Sequence, residues 1–278
     1  MWLINSSIGR KVVMSVTGIA LILFLTFHAS MNVVALFSAK GYNLICEFLG
    51  ANWYAVAATV GLAALMGLHF VYAIWLSIQN RRARGKDRYA VTDKPERVEW
   101  ASQNMLVLGF IVCLGLLLHL YNFWYNMMYA ELAGVEGPIH PADGTGHIVN
   151  TFAGNWCYTI LYVIWLAALW FHLNHGFWSA LQSIGWNGKV WFNRWRVISC
   201  VFTSVIIGMF AIVLLAFAAG YTPADYETRP NQIHCEMTQT EQCEKACEEK
   251  PCQKACEGQE EAGCCKPQEA KADCCAKK

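Results

Sequence analysis

Imidazole is the side chain best suited to ligate a transition metal at neutral pH. Four histidines of this chain, His28, His69, His119 and His172, stand deep inside stretches that hold no Asp, Glu, Lys or Arg. The first of these stretches runs from Val12 to Ala39, directly after Arg10-Lys11, and His28 is its ionisable residue. An ionisable group surrounded by hydrocarbon costs free energy, so its presence suggests function. Three chemistries are open to such histidines: ligation of a metal or heme iron, a proton relay, and hydrogen-bonded packing. A relay normally recruits Asp or Glu, and these stretches have no central carboxylate.

The elements that must position the histidines follow from the same charge pattern. Four further uncharged runs lie between Glu47 and Arg81, Glu99 and Glu131, Asp143 and Lys189, and Arg196 and Asp225. A helix crosses a bilayer with about 20 apolar residues, and continuous apolar runs in lipid mean helices. The chain is therefore expected to be all-α and integral to a membrane, a bundle of five transmembrane helices near 11–37, 53–80, 98–128, 154–184 and 195–219. Its 278 residues are 56% hydrophobic and 15% charged, too little charge for an ordinary soluble domain. A formal net charge of +1 suggests no nucleic-acid partner. The first apolar run is too long, and ends too indistinctly, for a cleavable signal peptide.

Orientation follows from the basic residues. Arg10 and Lys11 precede the first helix, Arg81, Arg82, Arg84, Lys86, Arg88, Lys94 and Arg97 fill the second loop, and Lys189, Arg194 and Arg196 fill the fourth. The first loop has only Lys40, and the third has no Lys or Arg. The positive-inside rule then expects a cytoplasmic N-terminus, an extracytoplasmic third loop and a C-terminal tail outside.

Depth sorts the histidines. At 1.5 Å per residue from the cytoplasmic ends, His28 lies ~26 Å in, His119 ~28 Å, His69 ~18 Å and His172 ~16 Å. This predicts two pairs at two levels, His28 with His119 and His69 with His172. Two imidazoles facing each other at one depth on different helices would make a bis-histidine heme site, and a bundle core is a usual place for a cofactor. Gly115 is four residues before His119 and Gly176 four after His172, each on its histidine's face. A missing side chain there would let a porphyrin lie against the helix, although glycine also serves plain helix contacts in membranes. His175, three residues after His172, competes with it as a ligand or could bond a heme propionate or quinone. His140, His147 and His234 read as solvated loop or tail residues.

Ser7-Ile8-Gly9-Arg10-Lys11, Met14, Thr17-Gly18, His28 and Asn32 resemble the opening of the cytochrome b subunit of succinate:quinone oxidoreductases, in its single-subunit, five-helix, diheme form. His172-Leu-Asn-His-Gly176-Phe-Trp-Ser179 resembles that family's fourth-helix motif, in which the first histidine is the ligand. The resemblance covers about residues 1–222, while the histidines of the second and third helices match mainly by position. It implies a membrane anchor of succinate dehydrogenase or fumarate reductase in a bacterial inner membrane. His28 and His119 would ligate a distal heme b, and His69 and His172 a proximal one. Flavoprotein and iron–sulfur subunits would dock on the cytoplasmic face, and electrons would pass between them and a membrane quinone, menaquinone by family type. The dicarboxylate chemistry would belong to the flavoprotein. Glu47 would be a candidate proton acceptor at a quinone site near the distal heme, with His140 and His147 as weaker ones.

Residues 223–278 depart from that family. Of the thirteen cysteines, Cys46, Cys113, Cys157 and Cys200 lie in the apolar part and the rest crowd Cys235 to Cys275. Cys243/Cys247 and Cys252/Cys256 are C-x3-C pairs, and Cys264-Cys265 and Cys274-Cys275 are adjacent. A disulfide-linked helical hairpin in an oxidising compartment, a thiolate metal site with His234, and a disordered polar tail are all open. Two other readings of the whole chain also stand: a diheme anchor of another respiratory oxidoreductase, and a heme-free membrane transport protein with a metal-binding tail.

Overall fold

The computed structural model describes residues 6–50, 52–84, 100–135, 137–186 and 188–227. It is all-α, with five helices long and apolar enough to cross a membrane. They are α1 (Ser7–Val34), α3 (Trp53–Arg84), α4 (Trp100–His119) with its continuation to Ala133, α7 (Trp156–Ser183) and α8 (Trp191–Ala218). Each lies within a few residues of its sequence-based position. The chain divides into two units, Met1–Asn231 and Gln232–Lys278. The expectations for the Cys-rich tail, and for the basic residues from Lys86 to Arg97, fall outside the described residues.

Local chemistry sets the helix ends. α1 begins one turn before the first charge because Ser6 is an N-cap, its Oγ accepting from Gly9 N at 2.9 Å. α3, α4, α7 and α8 each open on a tryptophan, and Trp53, Trp100, Trp156 and Trp191 are all exposed. An indole favours the membrane interface, where its apolar body and polar N–H are both satisfied. Leu23, Phe27, Val71, Val163, Val201 and Ile212 point outward along the spans, as a lipid-facing surface requires.

The core is built by α1, α7 and α8, where Ile22, Tyr162, Leu166, Leu169, Leu173, Ile207, Leu214 and Phe217 pack together. α4 lies on α7, whereas α3 packs chiefly on α1 and little on α4. The N-terminal end of α1 and the C-terminal half of α3 are tied through Gln79. Its amide oxygen, oriented as its neighbours require, accepts from Arg10 Nη1 at 3.0 Å and Trp75 Nε1 at 2.7 Å.

Three features were not read from the sequence. Past His119 the third span widens into a π-helix, Leu120–Tyr129, before a last α-turn, α5 (Ala130–Ala133). The loops at the same end contain two short helices, α2 (Ala39–Phe48) and α6 (Gly144–Phe152), which pack together. Asp143, fully buried, caps α6 through Gly146 N (2.9 Å) and accepts from Asn43 Nδ2 of α2 (2.7 Å). Asn43 Oδ1 returns the link by accepting from Thr145 N at 2.9 Å. The third feature is a strap after α8. Asp225 accepts from Ser38 Oγ (2.6 Å), Ala39 N (2.8 Å) and Lys40 N (3.2 Å), while Tyr221 OH donates to Leu36 O (2.7 Å). A carboxylate at a helix start satisfies orphan N–H groups and complements the helix dipole. These bonds hold the Asp225 carboxyl down at about 2.

Candidate functional site

The four histidines are brought together in twos, in the pairs expected from depth. The rings of His28 (α1) and His119 (α4) have centroids 5.9 Å apart, and those of His69 (α3) and His172 (α7) 6.5 Å apart. An iron bound by two imidazole nitrogens at about 2 Å each would set the ring centroids about 6 Å apart. Among the described residues, the backbones of α1 and α4, and of α3 and α7, do not come within 8 Å of each other at any Cα pair. Each histidine pair therefore reaches across a space between helices that are held apart by others.

The surroundings of the two pairs differ. Around His28 and His119 the neighbours are aromatic. Phe24 and Phe210 lie 5.5 and 5.7 Å from the His28 ring; Phe123, Trp165 and Tyr162 lie 5.1, 5.6 and 6.4 Å from that of His119. Trp165 is itself fixed, its Nε1 donating to Val112 O at 3.0 Å. Tyr162 OH accepts from Asn122 Nδ2 at 3.2 Å, in the first π-helical turn after His119. The end of this pair nearest α2 is polar: Asn32 Nδ2 donates to His28 O (2.8 Å), and Tyr42 OH donates to Asn32 Oδ1 (3.2 Å).

Around His69 and His172 the neighbours are small. A Cβ on Gly18 of α1 would lie 3.4 Å from His69 Cε1, and one on Gly109 of α4 would lie 3.7 Å from His172 Cε1. Each ring thus rests against a glycine of a third helix. Thr17 Oγ1 lies 3.1 Å from His69 Nδ1. Nδ1 of His172 is buried with no hydrogen-bond partner, a condition that costs on the order of 1–3 kcal/mol if left unsatisfied.

The other candidate residues are placed as follows. Gly176 has open space where a Cβ would be, whereas at Gly115 the same position is filled by the Trp165 indole. Gly115 therefore seats a tryptophan that packs on His119, rather than presenting a bare helix face. His175 contacts Trp178 at 4.9 Å between ring centroids. Glu47 is exposed near the C-terminal end of α2. His140 Nδ1 accepts from Ala142 N at 3.1 Å. His147 is buried rather than solvated, its Nε2 without a hydrogen-bond partner, and burial lowers its pKa against the opposing pull of Asp143.

Gly18, Gly109, Trp165 and the Asp143–Asn43 lock were not read as parts of the site. Trp165, three positions after the core residue Tyr162, carries no signal of its own, and Gly109 becomes meaningful only once α7 is laid against α4. Asp143-Gly-Thr-Gly146, by contrast, holds an N-cap signal in plain view. Near that lock, burial raises Tyr42 well above its usual value and pushes the Cys46 thiol up to about 12. Both stay neutral at ordinary pH, and Tyr42 remains a donor.

Among the described residues, no group of three or more His, Cys, Asp or Glu could hold a metal ion. Two imidazoles without further protein donors suit a metal that brings its own equatorial ligands, as heme iron does. The donor set, the ring separations and the gaps between the paired helices fit two hemes. No protein-family model matches the chain, and no curated protein and no solved structure matches it.

Proposed function

We propose that this chain is a diheme cytochrome b that anchors a succinate dehydrogenase or fumarate reductase and carries electrons between a membrane quinone and redox partners on the cytoplasmic side. The observation that supports this best is the meeting of four histidines in two opposed pairs, each across a gap between helices whose backbones stay more than 8 Å apart. His28 and His119 would hold the distal heme b, and His69 and His172 the proximal one. Bis-imidazole heme supplies one-electron redox chemistry at a potential tuned by ligand hydrogen bonds, burial and dielectric.

The protein's own groups divide the remaining work. α1 and α7 hold their imidazoles in register by packing on α8 and on each other, α4 by packing on α7, and α3 by packing chiefly on α1. Phe24, Phe123, Trp165 and Phe210 exclude water from the distal pair. Glu47, exposed near the α2/α6 end, is the proposed acceptor for quinol protons on the extracytoplasmic side. Arg81, Arg82, Lys189 and Arg194 are exposed at the opposite end and present positive charge to the proposed iron–sulfur and flavoprotein subunits. Menaquinone, a bacterial inner membrane and an inside N-terminus belong to this reading.

The test is a reduced-minus-oxidised spectrum with heme quantitation on the purified chain, followed by pull-down of the native complex and assay of succinate and fumarate turnover with quinone analogues. Two hemes b per chain and a copurifying flavoprotein are expected. A chain that contains no heme overturns the reading. Two hemes with a different catalytic partner would retain the cytochrome and replace the dicarboxylate enzyme.

A further inference from the structure

We infer that Thr17 is a positioning residue for His69: its hydroxyl fixes the proton on Nδ1 and so presents Nε2 as the ligating nitrogen of the inner pair. The inference rests on the diheme reading above and deepens it. Thr17 is buried, and its Oγ1 has three neighbours within hydrogen-bond reach: Val13 O at 2.9 Å, Met14 O at 3.1 Å and His69 Nδ1 at 3.1 Å. A hydroxyl has a single proton to donate and lone pairs to accept with. Both carbonyl oxygens can only accept, so the proton goes to the α1 backbone one turn back. The remaining contact is satisfied when His69 Nδ1–H donates to Thr17 Oγ1. A neutral imidazole with its proton on Nδ1 carries its lone pair on Nε2.

The arrangement also fixes the ring. Gly18, the next residue, leaves room for His69 Cε1 to lie against α1. Thr17 and Gly18 together therefore hold an α3 side chain on the surface of α1, although the ring's metal partner is on α7. No other histidine of the two pairs has this support. His172 Nδ1 is without a hydrogen-bond partner. Asn32 Nδ2 stands 3.5 Å from His28 Nε2 but is committed to His28 O at 2.8 Å.

An N–H bond from the non-ligating nitrogen orients a histidine and raises its basicity, and loss of such a partner typically costs 10–100-fold in metal affinity. A more basic ligand favours the oxidised, more positive iron, so removing the bond should raise the midpoint potential of the inner centre. The experiment is a redox titration with heme quantitation on the full chain carrying T17V, T17A or T17S. T17V and T17A should weaken inner heme retention by about 10-fold and shift the inner midpoint upward, leaving the outer midpoint in place. T17S keeps the hydroxyl and should restore both. The inference is overturned if T17V matches wild type in inner midpoint and retention. It is also overturned if T17V and T17A lose both centres together, because this bond acts on one ring only. A wild-type chain without heme defeats the functional reading itself; two hemes with no Thr17 effect defeats this inference alone.

Discussion

The two histidine pairs have nearly the same ring separation but opposite surroundings. The pair nearer α2 and α6 is wrapped in Phe24, Phe123, Trp165 and Phe210 and roofed by a hydrogen-bonded lock of two short helices. The other pair is flanked by Gly18 and Gly109 and reached by a single hydroxyl, with α3 seated chiefly on α1. Bulky aromatic packing holds one pair by filling space; small residues and a hydrogen bond hold the other by leaving it. The lesson is that one pairing of imidazoles can be supported by two different packing strategies within a single bundle, and that each should fail in its own way.

The most damaging change is removal of a ligand. His69→Ala or His172→Ala should abolish the inner heme and spare the outer, while His28→Ala or His119→Ala should do the reverse. Heme per chain then falls from two to one, and loss of neither heme in any variant would break the comparison. Next in size is Gly115→Ala. Its new methyl group overlaps the Trp165 indole, and overpacking of this kind costs about 1–3 kcal/mol. Thermal unfolding in detergent should report that loss, with the outer heme spectrum perturbed and the inner one unchanged. Asp143→Ala leaves Asn43 Nδ2 and Gly146 N without their buried acceptor, a loss of about 1–3 kcal/mol. It should loosen the α2/α6 roof in hydrogen exchange without altering the amides around Gly18 and Gly109. Gly18→Ala is milder, because the added Cβ would meet His69 at an ordinary contact distance of 3.4 Å. Its effect should be confined to the inner heme spectrum.

The smallest expected effect is one of pH. Asp225 has its carboxyl lowered to about 2 by Ser38 and the α2 backbone, so the charged form is favoured in the folded chain. Its stabilising contribution is present above the ordinary carboxylate value of about 4. It is lost as pH falls from there through about 2. Asp225→Ala should lower the unfolding temperature at neutral pH, and its difference from wild type should shrink on acidification. A difference independent of pH would count against this carboxylate anchor.

The spans were legible because hydrocarbon excludes charge, and the uncharged runs of this sequence are long and cleanly bounded. The histidine pairs were legible because helix rise converts sequence position into depth. That Trp165 packs against Gly115 was not legible, because depth says nothing of what lies opposite. Gly18 and Gly109 act on rings from other helices, which no single-helix periodicity shows. α2 and α6 were passed over as loops because each is short, although Ser38 and Asp143 both stand as N-caps before them. The roof they form depends on Asn43 meeting Asp143 a hundred residues away, a tertiary event.

The widened coil after His119 has a consequence for how this span tolerates length change. Over Leu120–Tyr129 the turns are larger than α-helical, and Asn126 Nδ2 reaches both Tyr121 O and Asn122 O at 3.0 Å. Removing one residue from an ordinary α-helix rotates everything beyond it by about 100°. Here the loss can be absorbed by tightening to α geometry, so the segment is a store of slack. Deleting Trp124 should leave both hemes in place, whereas deleting Leu114 should cost the outer one.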